Sequence, residues 1–105
     1  MAEERSQDGM MLPLRFHVPE DIVSRYATNL VVQHTQHEFI VSFYEAQPPL
    51  LLGTPEENRV ALERLGEVRA ECVARIVIAA GRMPEFVKVL QDNLATYDMN
   101  RAEQG

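Results

Sequence analysis

Two histidines and a single cysteine are the residues of this chain best suited to metal or nucleophilic chemistry. His34 and His37 are three apart and Glu38 follows directly, so their side chains would hold a divalent metal if they converged. Their spacing crosses a predicted turn, where side-chain directions depend on the turn geometry. A polar hairpin tip is the simpler interpretation. His34 and His37 remain the metal candidates, and we predict that the protein binds no metal and no cofactor.

Cys72 lies in an apolar run in which residues alternate between two faces. The alternation groups it with Ala74 and Ile76, which indicates a buried small hydrophobic residue rather than a reactive thiol. With no second cysteine, the chain can form neither an internal disulfide nor a cysteine-based zinc site. This usage is typical of a reducing compartment, and we predict a cytoplasmic protein.

No arrangement of residues indicates an enzyme. The adjacent acids at 3–4, 20–21 and 56–57 are explained by solubility and by helix starts. Gly53-Thr54-Pro55 precedes a predicted helix but lacks the glycines and the lysine of a phosphate-binding loop, and no nucleophile elbow occurs. We therefore predict a protein without catalytic residues.

The candidates for an interaction surface are a charge in a strand and a run of leucines. Arg75 interrupts an apolar strand, where a charge must be paired or reach solvent. An ion pair with Glu71 or Glu45 is the favoured interpretation, and contacts in an oligomer or with a ligand are the alternatives. The proline-led run Leu50, Leu51 and Leu52 must cover the protein's own core or an oligomer contact, or else dock another protein. The predicted surface consists of Leu50, Leu51, Leu52, Phe43 and Arg75.

Composition limits the partners of this chain. Its 105 residues are enough for one domain, and 16 acidic against 10 basic residues give a net charge of −6. Nine of the ten basic residues are arginines interspersed with acids, so no basic stripe for nucleic acid is visible. No apolar stretch is long enough to span a membrane, and the acidic start argues against an export signal.

The hydrophobic periodicity predicts an α+β fold built on a mainly antiparallel four-stranded sheet. Period-2 alternation indicates a strand over 14–18, which is an edge strand or arm. Two β-rich runs around a short polar break indicate a hairpin over 30–33 and 39–44, and a third long run indicates a strand over 69–79. The flanking segments 1–11 and 100–105 are predicted to be a mobile tail and a frayed end around a single domain at 12–99.

Two helices complete the predicted fold. Thr54, Pro55 and Glu57 form a capping box that starts an inserted surface helix over about 55–65, and Gly66 ends it. A C-terminal amphipathic helix over about 84–98 starts at Pro84 and is predicted to pack on the sheet.

Several segments together resemble a family of short bacterial and archaeal proteins that is known only as a domain of unknown function. They are Tyr26-Ala27-Thr28-Asn29, Glu38-Phe39-Ile40 through Phe43, Ala74-Arg75-Ile76-Val77, Pro84, and the run from Leu90 to Asn93 with Tyr97. The resemblance covers about residues 16–97. It implies an antiparallel sheet with a C-terminal helix and supplies no catalytic residue. This chain departs from the family pattern in the longer connection at 79–83.

The strands predict an oligomer. Both faces of the 39–44 and 69–79 strands carry apolar residues, and one helix covers only one face of a sheet. A second copy of the chain would cover the other face. We therefore predict a homodimer or higher homo-oligomer that serves as a protein–protein interaction module. The alternatives are a chaperone-like binder of unfolded or extended segments and a nucleic-acid-binding regulator, which the charge of −6 disfavours.

Overall fold

A computed structural model describes residues 11–104 of the chain. In chain order its elements are β1 (Asn29–His34), β2 (Glu38–Gln47), α1 (Pro55–Leu65), β3 (Arg69–Ala79), a 3₁₀ turn (Ala80–Arg82) and α2 (Met83–Gln104). The three strands form one antiparallel sheet in the order β1-β2-β3. The predicted α+β class is confirmed, with three strands in place of four. The predicted tail at 1–11 lies outside the described residues except for Met11.

β1 and β2 form the predicted hairpin. Their register pairs Val32 with Val41 and His34 with Phe39. The Thr35 backbone N–H donates to the Glu38 carbonyl at 2.9 Å, and the Thr35 hydroxyl accepts from the N–H groups of His37 and Glu38. The threonine therefore satisfies donors that the turn would otherwise leave unpaired, which fixes the register of the hairpin.

β2 and β3 pair over their whole length, with one irregularity. Ala74 pairs with Phe43, but Tyr44 pairs with Cys72, so Val73 is an extra residue in β3. Because a one-residue slip moves a side chain to the opposite face, Cys72 does not share a face with Ile76 and Ile78. The prediction of a buried Cys72 was therefore wrong, and the thiol is exposed.

The predicted fourth strand at 14–18 is not formed. Leu14, Phe16 and Val18 alternate with polar residues as a strand requires, but the segment is irregular and exposed. Alternation supplies the side chains of a strand, whereas a strand also needs a neighbouring backbone to accept and donate hydrogen bonds. In residues 11–104 no edge of the sheet provides that neighbour to this segment.

α1 occupies the predicted range and begins as its sequence specifies. The Thr54 hydroxyl accepts from the Glu57 N–H at 3.2 Å, and the Glu57 carboxylate accepts from the Thr54 N–H at 2.8 Å. Gly66 ends the helix with φ 79°, a left-handed conformation that glycine adopts without strain. On the exposed side of α1, a hydrogen bond to Glu56 is the main cause that raises the pKa of Arg59 above its ordinary value. A hydrogen bond to Glu63 also raises this pKa, and together the two bonds outweigh the opposite effect of desolvation.

Replacing Thr54 by alanine is expected to destabilise α1 by about 1 kcal/mol, because one N–H of the first turn loses its acceptor. The matched control is Thr54→Ser, which keeps the hydroxyl. Helix content followed by circular dichroism during thermal unfolding measures both. Equal melting curves for Thr54→Ala and Thr54→Ser would show that the capping box contributes nothing.

α2 is longer and less covered than its pattern predicts. It begins at Met83 and continues to Gln104, past the expected end near residue 98. Its last residues, Asn-Arg-Ala-Glu-Gln, contain neither glycine nor proline, so nothing in them stops a helix. None of its residues is buried, and Leu90 is 71% exposed. The prediction that this helix packs along the sheet was therefore wrong beyond its first turns, where Met83, Pro84 and Val87 line an open groove with Phe39.

The buried interior of the described chain is small. Val41 and Ile78 are its buried apolar residues, and Ser42 is its buried polar residue. The radius of gyration is 20.8 Å, against about 13 Å for a compact chain of this length. The molecule measures 69 × 40 × 30 Å. A single copy therefore has an extended shape and a core too small to account for its apolar content.

Candidate interaction surface

One side of the sheet is apolar across all three strands. Residues that pair directly in an antiparallel sheet point to the same side, so the register defines this surface. We call it the apolar face; it comprises Leu30, Val32, Phe39, Val41, Phe43, Ala74, Ile76 and Ile78. Leu30, Val32 and Ile76 are each about half exposed. The same register places His34 at one end of this side and the Glu45–Glu71 pair at the other, so the apolar face is bounded by polar residues. Between them it is open at both outer strands and lacks a covering layer.

The opposite side, the mixed face, carries Arg75 at its centre. Arg75 pairs across the sheet with Ser42, and its Nε donates to the Ser42 Oγ at 3.3 Å. Ser42 is only 2% exposed, so this bond satisfies a buried hydroxyl.

The expected ion pair of Arg75 with Glu71 or Glu45 is not formed. Among the described residues no carboxylate lies within salt-bridge distance of Arg75, because Glu71 is held by Arg69 at 2.7 Å. The shift at Val73 moves the acids relative to Arg75: Glu71 pairs with Glu45, away from the Ser42–Arg75 pair. The guanidinium is thus anchored at Nε and keeps further donors available on the mixed face.

The predicted leucine run lies in the connection between β2 and α1. Leu50 and Leu52 are 82% and 84% exposed, while Leu51 is half-buried. Phe43 is half-buried on the apolar face. Leu50 and Leu52 therefore do not cover the core of their own chain. Phe43 and Arg75 lie on opposite faces of the sheet.

His34 and His37 take up separate positions at the hairpin. The His34 ring packs against the Phe39 ring, with centroids 5.6 Å apart, and His37 lies in the turn, where its carbonyl accepts from the Ala80 N–H. Within residues 11–104 no group of three or more metal-ligating side chains comes together. The geometry at this hairpin is that of packing and turn formation.

Two further apolar surfaces were not predicted as contact sites. One is a stripe along α2, formed by Val87, Leu90, Leu94 and Tyr97 at spacings of three and four residues. The other is the segment before the sheet, in which Phe16 is 89% exposed. Periodicity revealed the residues of both, but it could not show that the chain leaves them uncovered.

The comparison with protein families agrees with the resemblance noted in the sequence. Residues 1–103 match the family model described as "Protein of unknown function (DUF3467)". The chain belongs to this family. No solved structure matches the chain. Membership in DUF3467 therefore adds no activity to the geometry described above.

None of the helices in residues 11–104 is long and apolar enough to cross a membrane.

Proposed function

We propose that this DUF3467 protein is a non-enzymatic, homo-oligomeric protein–protein interaction module of the cytoplasm. Its contact surface is the apolar face of the sheet, extended by Leu50 and Leu52. The lone Cys72, without a partner for an internal disulfide, supports a reducing compartment. The groove between the sheet and α2 supports a non-enzymatic role, because Phe39, Ala80, Met83, Pro84 and Val87 bring no acid, base or nucleophile to it.

The surface area of the single chain carries this proposal. The single chain has a solvent-accessible surface of 9716 Å², whereas a compact folded protein of 12.0 kDa has about 6,000 Å². The difference, about 3,700 Å² per chain, is several times the roughly 800 Å² that each partner buries in a standard interface, which favours an extensive, obligate interface. A chain with this much exposed surface and so few buried residues is expected to fold stably only together with its partner.

A second copy of the same chain is the partner that fits best. The apolar face is a continuous patch from Leu30 to Ile78, and the Glu45–Glu71 pair lies at its margin, so two such patches can pack on each other around a twofold axis with the acids at the rim. Further charges lie on the exposed side of α1, and the net charge of −6 per chain keeps the assembly soluble. A copy of itself is also present wherever the chain is made.

Light scattering on the purified protein tests the proposal. The expected mass is 24 kDa or a higher multiple of 12.0 kDa, and it should persist on dilution to low micromolar concentration because the interface is large. A folded, monodisperse species of 12 kDa would contradict it.

A chaperone-like binder of extended segments is the second candidate, and the outer edge of β3 favours it. This edge is an 11-residue strand with no neighbour among the described residues, and an extended peptide can pair with such an edge. Suppressed aggregation of an unrelated unfolded protein at equimolar amounts would support this candidate. Absence of suppression, together with a stable oligomer, would favour the homo-oligomeric module alone.

A further inference from the structure

In the part of the chain that the structure describes, one strand-like segment and one strand edge are unpaired. The segment is residues 12–18, here called the arm, in which Leu12, Leu14, Phe16 and Val18 alternate with Pro13, Arg15 and His17. Its apolar side chains are 71% to 89% exposed, and Phe16 has the highest exposure among the large hydrophobic residues that the structure describes. Strict alternation of apolar and polar residues is the pattern of a half-buried strand, and this segment has the pattern without a sheet beside it.

The prolines define which part of the arm can pair. Pro13 and Pro19 lack a backbone N–H, so neither can donate to a ladder, and the five residues between them all can. Beyond Pro19 the chain turns, with the Ile22 N–H donating to the Pro19 carbonyl at 3.3 Å. The arm therefore supplies a strand of five residues, which is an ordinary length for an edge strand.

The unpaired edge belongs to β3. β3 bonds to β2 on one side only, and among residues 11–104 nothing pairs with its other side. Its 11 residues, Arg-Ala-Glu-Cys-Val-Ala-Arg-Ile-Val-Ile-Ala, are rich in β-branched side chains and contain no proline or glycine. Its charged residues are Arg69, Glu71 and Arg75, and the run 76–79 beyond them is apolar throughout. Proteins protect long edges with such a run, because an open one pairs with other chains indiscriminately. The other edge, β1, offers only six residues.

The arm does not cover the edge of its own chain. Thr28 fixes the point at which the arm leaves the sheet: its N–H donates to the Tyr44 carbonyl at 2.8 Å and its hydroxyl accepts from the Ala46 N–H at 2.8 Å. Before that anchored point the arm pairs with no strand among residues 11–104, and its apolar side chains stay exposed. An arm without cover in its own subunit is available to another.

We propose that the arms are exchanged between two copies of the chain: residues 14–18 of each subunit form a fourth strand on the β3 edge of the other. This inference rests on the proposed homo-oligomer and adds its structural basis. The exchange covers Leu14, Phe16 and Val18 and removes the open edge of β3 in one step. It also accounts for the strand pattern at 14–18, which the sequence predicts and the single chain does not use.

The decisive experiment uses the full-length protein in mixed isotopic form. Chains labelled with ¹³C and ¹⁵N are unfolded, mixed with an equal amount of unlabelled chains and refolded together. An isotope-filtered NOE spectrum then reports only contacts between different subunits. We expect such contacts between the protons of Leu14, Phe16 and Val18 and those of β3.

The other outcomes separate the arm exchange from the oligomer itself. An oligomer in which arm contacts occur only within one subunit, or in which β3 contacts β3 of the second copy, would overturn the exchange and leave the interaction module standing. A monomer in the same sample would overturn both. All of these NOE outcomes are measured on the full-length protein without substitutions, so the experiment does not depend on the folding of a variant.

Hydrogen exchange on shortened chains provides a second readout. Removing residues 1–18 should raise the exchange rate of alternate β3 amides, those facing the open edge, by tenfold or more, while β2 amides change little. Removing residues 1–11 is the matched control and should leave β3 protected, because the arm is retained. Unchanged β3 protection in the folded 1–18 deletion would overturn the exchange, and if that deletion fails to fold, the NOE contacts decide.

Discussion

Replacing Val32 by lysine is expected to dissociate the oligomer. Val32 pairs with Val41 on the apolar face and is 47% exposed in the single chain, so a lysine there is tolerated by one copy but becomes an unpaired charge when a second copy covers the face. We expect the dissociation constant to rise about a hundredfold or more, equivalent to about 3 kcal/mol. Sedimentation equilibrium over a range of concentrations measures it.

Gln33→Lys is the matched control for this variant. Gln33 is the next residue of β1 and points to the mixed face, where it pairs with Ile40. The same charge is introduced on the same strand, one residue away and on the other side of the sheet. If Val32→Lys and Gln33→Lys assemble equally well, the apolar face is not the contact surface and the proposed module loses its main support.

Shortening Ile78 to alanine is expected to have the largest effect on folding. Ile78 is one of the two buried apolar residues of the described chain and pairs with Phe39 on the central strand. Removing three buried carbons from a close-packed site costs about 2–5 kcal/mol. With so few buried residues, no others are available to offset that loss. The midpoint of urea unfolding, measured at one fixed protein concentration, should fall markedly.

Ile22→Ala makes the same chemical change at an exposed position and serves as the control. Ile22 is 65% exposed, in the turn that follows Pro19. Its loss should change the free energy of unfolding by no more than about 0.5 kcal/mol. Comparable losses for Ile78→Ala and Ile22→Ala would show that burial within one chain does not set the stability of this protein.

Local signals predicted the local elements well. The capping box at Thr54 and Glu57, the proline at the first helical position and the left-handed Gly66 fix both ends of α1, and each acts within four residues. The hairpin of β1 and β2 follows equally from a short polar turn between β-rich runs. Such signals depend on neighbouring residues only, so they can be read without knowledge of the fold.

Signals that depend on distant partners failed. The side to which Cys72 points follows from the extra residue Val73, and no pattern in β3 marks that residue as extra. The partner of Arg75 is Ser42, 33 positions away, because Glu71 is held by Arg69. An alternating sequence specifies two faces, whereas the pairing register between strands selects the residues that meet on each face.

The sequence by itself determined the α+β class, the membership in DUF3467, the helix at 55–65 and the apolar character of both faces of the long strands. Only the tertiary structure decided that a single copy leaves those apolar residues exposed, that α2 contacts the sheet only through its first turns, and that the arm has no strand partner among residues 11–104. The physical reason is that periodicity states which side chains avoid water, while the arrangement of the elements in space determines whether one chain can supply their cover. In this protein one chain does not supply it.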